Sequence, residues 1–183
     1  MRTRIIFTLC IVLGISSVFA QEAGKIRAGL EAGCLVPIER GFGFLGAIEL
    51  KYNLKKNMNV GLKTEITGFW KSKSHSSEIL SFSVTYDYYF NTMVKRSSTF
   101  LGAGFGFYFC DAGDYRLLEY EDEDHFKFNN PTCFIRAGYE IRKIRLSLSY
   151  NLIRKTQAIY YSFKNNDYVS LNIGFYLGGG KWK

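Results

Sequence analysis

The stretch YVSLNIGFYL, residues 168–177, decides the fold. Val169, Leu171, Ile173, Phe175 and Leu177 are apolar, while Tyr168, Ser170, Asn172, Gly174 and Tyr176 between them are polar or small. Successive side chains of an extended chain point to opposite faces, so this stretch predicts a strand with one greasy and one polar side. Working back towards the start, the same alternation recurs about seven times. It predicts strands at about 25–36, 44–54, 58–70, 79–90, 99–109, 132–142 and 144–153. The fold class expected is all-β: eight antiparallel strands, up and down, with the strand at 168–177 closing a barrel against the first.

Residues 1–20 carry a positive start at Arg2 and Arg4, an apolar core over 5–15, and the cleavage-site pattern Val18-Phe19-Ala20. They read as a secretory signal peptide, because the apolar run falls short of the roughly 20 residues a spanning helix needs. Cys10 lies in mid-core and does not make this a lipoprotein signal. Residues 21–183 then form one barrel domain. Without Arg2 and Arg4, 22 of the 24 basic residues stand against 16 acidic ones, a mature net charge of +6. An exported chain seldom meets nucleic acid, so no nucleic-acid partner is expected; anionic lipid headgroups or polysaccharide suit the charge better as neighbours. Aromatic residues make up 17% of the chain and proline occurs twice, a composition that favours strands. No later stretch resembles a spanning helix, so a membrane role requires a closed barrel.

Alternation alone does not say which face points inward; composition does. Across the eight predicted strands the apolar face carries no charge, and Phe44, Tyr52, Trp70, Tyr88, Phe90 and Phe109 fall near strand ends, where aromatic girdles sit. The other face is crowded with Gly, Ser and Thr. Its charges are near balance: Glu31, Glu49, Glu65, Asp87 and Glu140 against Arg27, Lys51, Lys63, Arg136, Arg142 and Arg145. A water-facing surface has no need of so many glycines, which weaken strands, whereas a narrow lumen does. Charges enclosed there must pair, and these can. An eight-stranded transmembrane β-barrel is therefore expected. The alternative is an exported soluble lipocalin-like carrier, with the same two faces exchanged.

Connections after the first, third, fifth and seventh strands are mostly longer, and those after the second, fourth and sixth mostly short. This places long loops at one rim and turns at the other, as in outer-membrane barrels, with both termini in the periplasm. The chain resembles the small eight-stranded outer-membrane barrels typified by OmpA and OmpX, in its signal peptide, alternating strands, charged lumen and terminal YVSLNIGFYL. The resemblance implies the bacterial outer membrane as location. It also implies outer-membrane lipid and lipopolysaccharide as neighbours, the barrel-assembly machinery as partner during insertion, and a monomer. That machinery usually reads a terminal aromatic residue. Here the chain runs on through GGGKWK, and Phe175 or Trp182 is expected to serve. The wall-anchoring role of the two-domain members is not implied.

Three features bear on chemistry. His75 and Ser77 form an H-x-S pair in the predicted loop KSKSHSS, and outer-membrane enzymes that trim or transfer lipid A acyl chains use such residues. A nucleophile also needs a placed base and an oxyanion site, which nothing nearby supplies, so no catalytic residue is assigned. The predicted loop over 110–131 contains Glu119, Glu121, Asp122, Glu123 and Asp124, followed by His125. It lacks the spacing of a calcium loop, so it reads as a solvated surface loop with no metal and no cofactor, and as a contact surface for an extracellular protein or other ligand. Cys110 and Cys133 bracket this loop, where an oxidising compartment would permit a disulfide. Parity opposes it, since Cys110 continues the face of Gly106 and Tyr108 while Cys133 shares that of Ile135. The reading expected is a non-enzymatic barrel with an envelope-structural and surface-interaction role. The alternative is an outer-leaflet lipid A acyl-modifying enzyme. An open porin is disfavoured, because the lumen of eight strands is filled.

Overall fold

The structure, a computed structural model, describes the backbone of residues 22–38, 41–72, 75–90, 97–114, 126–153, 156–158, 161–164 and 167–179. Side chains are described for these except 69–72, 75–78, 110–114, 126–130, 156–158 and 161–164. The expected signal peptide, the acidic run at 119–124 and the tail at 180–183 lie outside the described residues.

Eight strands close into a barrel: β1 (Ile26–Pro37), β2 (Phe42–Lys55), β3 (Met58–Ser72), β4 (His75–Phe90), β5 (Ser97–Asp114), β6 (Phe126–Ile141), β7 (Ile144–Ile153) and β10 (Tyr168–Gly178). Each pairs antiparallel with its neighbours in chain order, and β10 closes on β1 over a register from Arg27↔Gly178 to Pro37↔Tyr168. The short β8 (Thr156–Ala158) and β9 (Tyr161–Lys164) form a separate two-stranded hairpin where the sequence predicts only a loop.

Register fixes the tilt. Cα partners followed from Pro37 through Tyr168, Asn151, Phe134, Gly104, Thr85, Gly61 and Lys51 return to β1 at Arg27, ten residues from the start. With ordinary strand spacings this stagger tilts the strands by about 40°. A twelve-residue strand such as β1 then rises about 30 Å, enough to cross the hydrocarbon core.

The two faces fall as the alternation predicts. Leu62 and Ile26 are 66% and 64% exposed on the outside, while Glu49 and Arg145 are fully buried within. Large apolar side chains cover the exterior from end to end, which overturns the carrier reading, since a soluble barrel would bury them. Tyr52, Tyr86, Tyr139, Phe90 and Phe175 face outward towards the rim of short turns. Phe42, Phe44, Phe107 and Phe109 face outward towards the other rim, with Phe42 and Phe44 edge-on at 4.9 Å.

The strand ends depart from the sequence reading in a consistent way. KSKSHSS is mostly strand rather than loop, since β3 runs to Ser72, β4 starts at His75, and the two residues pair. The ladders on either side of β5 likewise extend to His75↔Asp114 and Ala112↔Phe126, where an irregular segment over 110–131 is expected. By contrast, the β1–β10 ladder stops at Pro37↔Tyr168 and the β6–β7 ladder at Thr132↔Ile153. Strands β3 to β6, of 15, 16, 18 and 16 residues, thus stand as a wall above the rest of the long-loop rim. Polar residues such as Ser76 and Asn129 hide this continuation from an alternation search.

Candidate functional site

The lumen collects the charged side chains that alternation turns inward. Ten charged residues are buried there: Arg27, Lys51, Lys63, Arg136 and Arg145 against Glu31, Glu49, Glu65, Asp87 and Glu140. Arg142, expected among them, is a correction. It sits in the two-residue turn after β6, exposed and with φ of 54°. The strand ends one residue earlier than the charge alternation suggests, because the chain must reverse for Ile141 to pair with Ile144. Without Arg142 the described lumen is electroneutral, as charges held away from water require.

The network is layered. Near the short-turn rim Arg27 pairs with Glu140, which also accepts from the Tyr89 hydroxyl at 2.9 Å. Asn53 closes the floor by donating from Nδ2 to the carbonyls of Glu22 and Gly179, at 3.1 and 3.2 Å. At mid-height the Arg136 guanidinium bridges two carboxylates. Its Nε and Nη2 donate to Asp87 at 2.8 and 3.0 Å, and Nη2 donates to Glu49 Oε1 at 2.6 Å. Asp87 also accepts from Lys51, and from Arg145 at 3.0 Å, so three cations hold one carboxylate. Thr85 donates to Glu49 at 2.6 Å. Above this, Lys63 pairs with Glu65 at 2.5 Å and lies 3.6 Å from Glu31, and the Tyr168 hydroxyl donates to Glu65.

Aromatic rings line the same cavity. Arg27, Lys51 and Arg145 surround the Tyr176 ring at 5.0, 4.9 and 5.5 Å from its centroid, and the Tyr176 hydroxyl lies between Glu31 and Glu49, with its one proton within reach of either carboxylate. Arg145 lies 3.6 Å over Phe100, while Lys63 and Arg136 lie 5.4 and 5.5 Å from the centre of Phe134. Such contacts stabilise cations that have left water. Towards the long-loop rim the polar layers give way to a buried apolar cluster of Leu35, Leu45, Ile79, Tyr108, Ile153 and Tyr168. Sequence reasoning misses both groups. It puts Tyr108, Tyr168 and Tyr176 on the inner face without giving them a role, and the strand parity of Leu35, Leu45, Phe100 and Phe134 is the signal that could have found the rest.

The arrangement is a filling. Each buried carboxylate meets a cation, a tyrosine or threonine hydroxyl, or both, and an apolar layer covers them. The hydroxyls that meet carboxylates there, Thr85 on Glu49 and Tyr168 on Glu65, are themselves buried within this filling. His75 and Ser77 fall in β4, in register with Asp114 and Ala112, and their side chains lie outside those described. Cys34 and Cys133 are free and exposed on the outer face. Cys133 pairs in register with Phe105 whereas Cys110 pairs with Phe128, five positions away along β6. That separation is about 16 Å, far beyond the ~7 Å that a disulfide spans. The parity argument against a Cys110–Cys133 bridge therefore agrees with the register.

The outward apolar surface, the tilt and the electroneutral lumen define a transmembrane β-barrel of the outer-membrane class. More particularly, the chain is of the small eight-stranded type. No protein-family model and no curated protein sequence matches it. Solved structures match in fold. Neisserial surface protein A is 15% identical with a TM-score of 0.64, over 85% of this chain and 97% of that one. The outer-membrane enzyme PagL is 12% identical with a TM-score of 0.56, over 81% and 98%. The attachment invasion locus protein Ail of Yersinia pestis is 11% identical with a TM-score of 0.51, over 85% and 99%.

Proposed function

We propose that this chain is a non-enzymatic barrel of the bacterial outer membrane, acting in envelope structure and in contacts at the cell surface. The observation that carries the reading is the wall of β3–β6, which stands above a lumen whose described side chains are buried and paired. A filled lumen leaves transport no path, whereas a raised, hydrogen-bonded wall is a rigid mount for the segment between β5 and β6. That segment holds Glu119, Glu121, Asp122, Glu123 and Asp124, which suit a basic partner beyond the membrane. Lipopolysaccharide and lipid surround the barrel, the assembly machinery inserts it, and it works as a monomer.

The test replaces residues 115–125 by a Gly-Ser linker in cells carrying the full chain. The variant is expected to keep the heat-dependent gel mobility of a folded barrel and to lose adhesion to protein-coated surfaces. Adhesion equal to wild type would remove the surface role. A fold neighbour that is an enzyme makes lipid A modification the reading to test beside it. An acyl pattern that changes on His75→Ala or Ser77→Ala would overturn the non-enzymatic assignment.

A further inference from the structure

The short-turn rim, which in outer-membrane barrels faces the periplasm, carries an arc of cations. Neighbouring strands around this part of the barrel run β6, β7, β10, β1, β2, β3. Arg142 and Lys143 lie in the turn between β6 and β7, Lys25 just before β1, Lys55 at the end of β2 and Lys56 in the turn that follows it. All are exposed except Lys143, which is half-buried. Glu22 is the one acidic side chain near this arc that is not enclosed, among the described residues; Glu140 is buried with Arg27. Two observations assign the arc a use. First, the Lys143 amine lies 6.0 Å from the centre of the Phe175 ring, and Phe175 faces lipid. The charge therefore sits at the outer perimeter, beside the aromatic belt where headgroups lie, and not beneath the lumen. Second, Arg142 has φ of 54° in a two-residue turn. Glycine takes that conformation without strain and arginine does not. The turn takes an arginine where glycine would sit without strain, and so sets a cation at the tip of the rim.

We propose that the arc, centred on Arg142 and Lys143, binds the phosphates of anionic phospholipids in the periplasmic leaflet. Arginine and lysine suit phosphate, Arg by a paired fork of donors and Lys as a point charge. The outward Tyr139, Phe175 and Tyr52 pack against the acyl chains of the same lipids.

The test reconstitutes the mature chain in vesicles of phosphatidylcholine mixed with phosphatidylglycerol, and native mass spectrometry reads the lipids it retains. Wild type is expected to retain phosphatidylglycerol above its share of the bilayer. Arg142→Gly with Lys143→Ser should lower that preference by about fivefold for each cation removed. Glycine relieves the turn, so the variant should unfold in phosphatidylcholine alone no more easily than wild type, which separates lost binding from lost folding. Lys55→Ser with Lys56→Ser, at the other end of the arc, should lower the preference independently. An unchanged preference in both variants would overturn the proposal. So would an unchanged preference together with lost retention on isolated cell wall, which would assign the arc to an anionic wall polymer.

Discussion

The ring of Tyr176 lies against its cross-strand neighbour Gly29, in the space a Cβ at that position would need. Phe134 covers Gly104 and Phe100 covers Gly138 in the same way, each pair directly in register. The glycine gives up its side chain so that the neighbouring ring can lie along the wall, and cations from the same, adjacent and more distant strands gather around the ring.

Gly29→Ala should therefore destabilise the barrel by about 1–3 kcal/mol, the usual cost of overpacking. Displacing Tyr176 also withdraws its hydroxyl from Glu31 and Glu49, which pushes the loss towards the upper end. Gly46 supplies the control. It faces outward, and a methyl group added there would meet nothing within 4 Å, so Gly46→Ala should stay within about 0.5 kcal/mol. Urea unfolding in lipid vesicles reads both, and equal losses would mean that the ring-on-glycine packing contributes nothing.

Arg136 joins Asp87 to Glu49, and its removal leaves the enclosed lumen one positive charge short. Arg136→Ala should cost about 3–5 kcal/mol. Asp87→Ala leaves the opposite excess and should cost a similar amount. The double variant restores neutrality, so its loss should fall well below that of the two singles added together. Strict additivity in the same unfolding assay would show that the charges are held independently.

Most of the barrel is legible in the sequence because a membrane strand states its two faces plainly. YVSLNIGFYL gives the parity of β10 without help, and ten of the eleven charges expected in the lumen are found there. Arg142 escapes because a period of two says nothing about where a strand ends, and the turn takes the residue that continued the pattern. The wall of β3–β6 is hidden for a related reason. Above the membrane the outer face need not be apolar, so Ser76, Ser77 and Asn130 carry no alternation although their backbone is strand. The apolar layer is hidden differently: Leu35 and Ile153 are inward apolar residues, and composition cannot tell these from lipid-facing ones.

Leu35, Leu45, Ile79, Tyr108, Ile153 and Tyr168 form a buried layer over the charge network, so the described lumen is expected not to conduct. Planar-bilayer recordings of the folded chain should show no steady conductance steps. Replacing Ile79 and Ile153 by serine removes part of the layer and leaves Arg136, Asp87 and Glu49 plugging the barrel below, so that variant should be silent too. Ohmic steps from wild type would mean that the network opens, and the filled-lumen argument for a surface role would fall.

Cys34 and Cys133 offer a direct reading of register, because both thiols face lipid. In vesicles, with Cys110 replaced by serine, a charged membrane-impermeant maleimide should leave both unlabelled, since a thiol set in hydrocarbon is out of reach of water and of the reagent. Unfolding in denaturant should expose two reactive thiols per mature chain. Slippage of β6 by one residue would turn Cys133 inward and Phe134 outward, exchanging every face of that strand. Arg136 would then leave Asp87 for the lipid. Folded protein that labels at Cys133 while Cys34 stays protected would show that Cys133 does not face lipid, against the outward parity of β6.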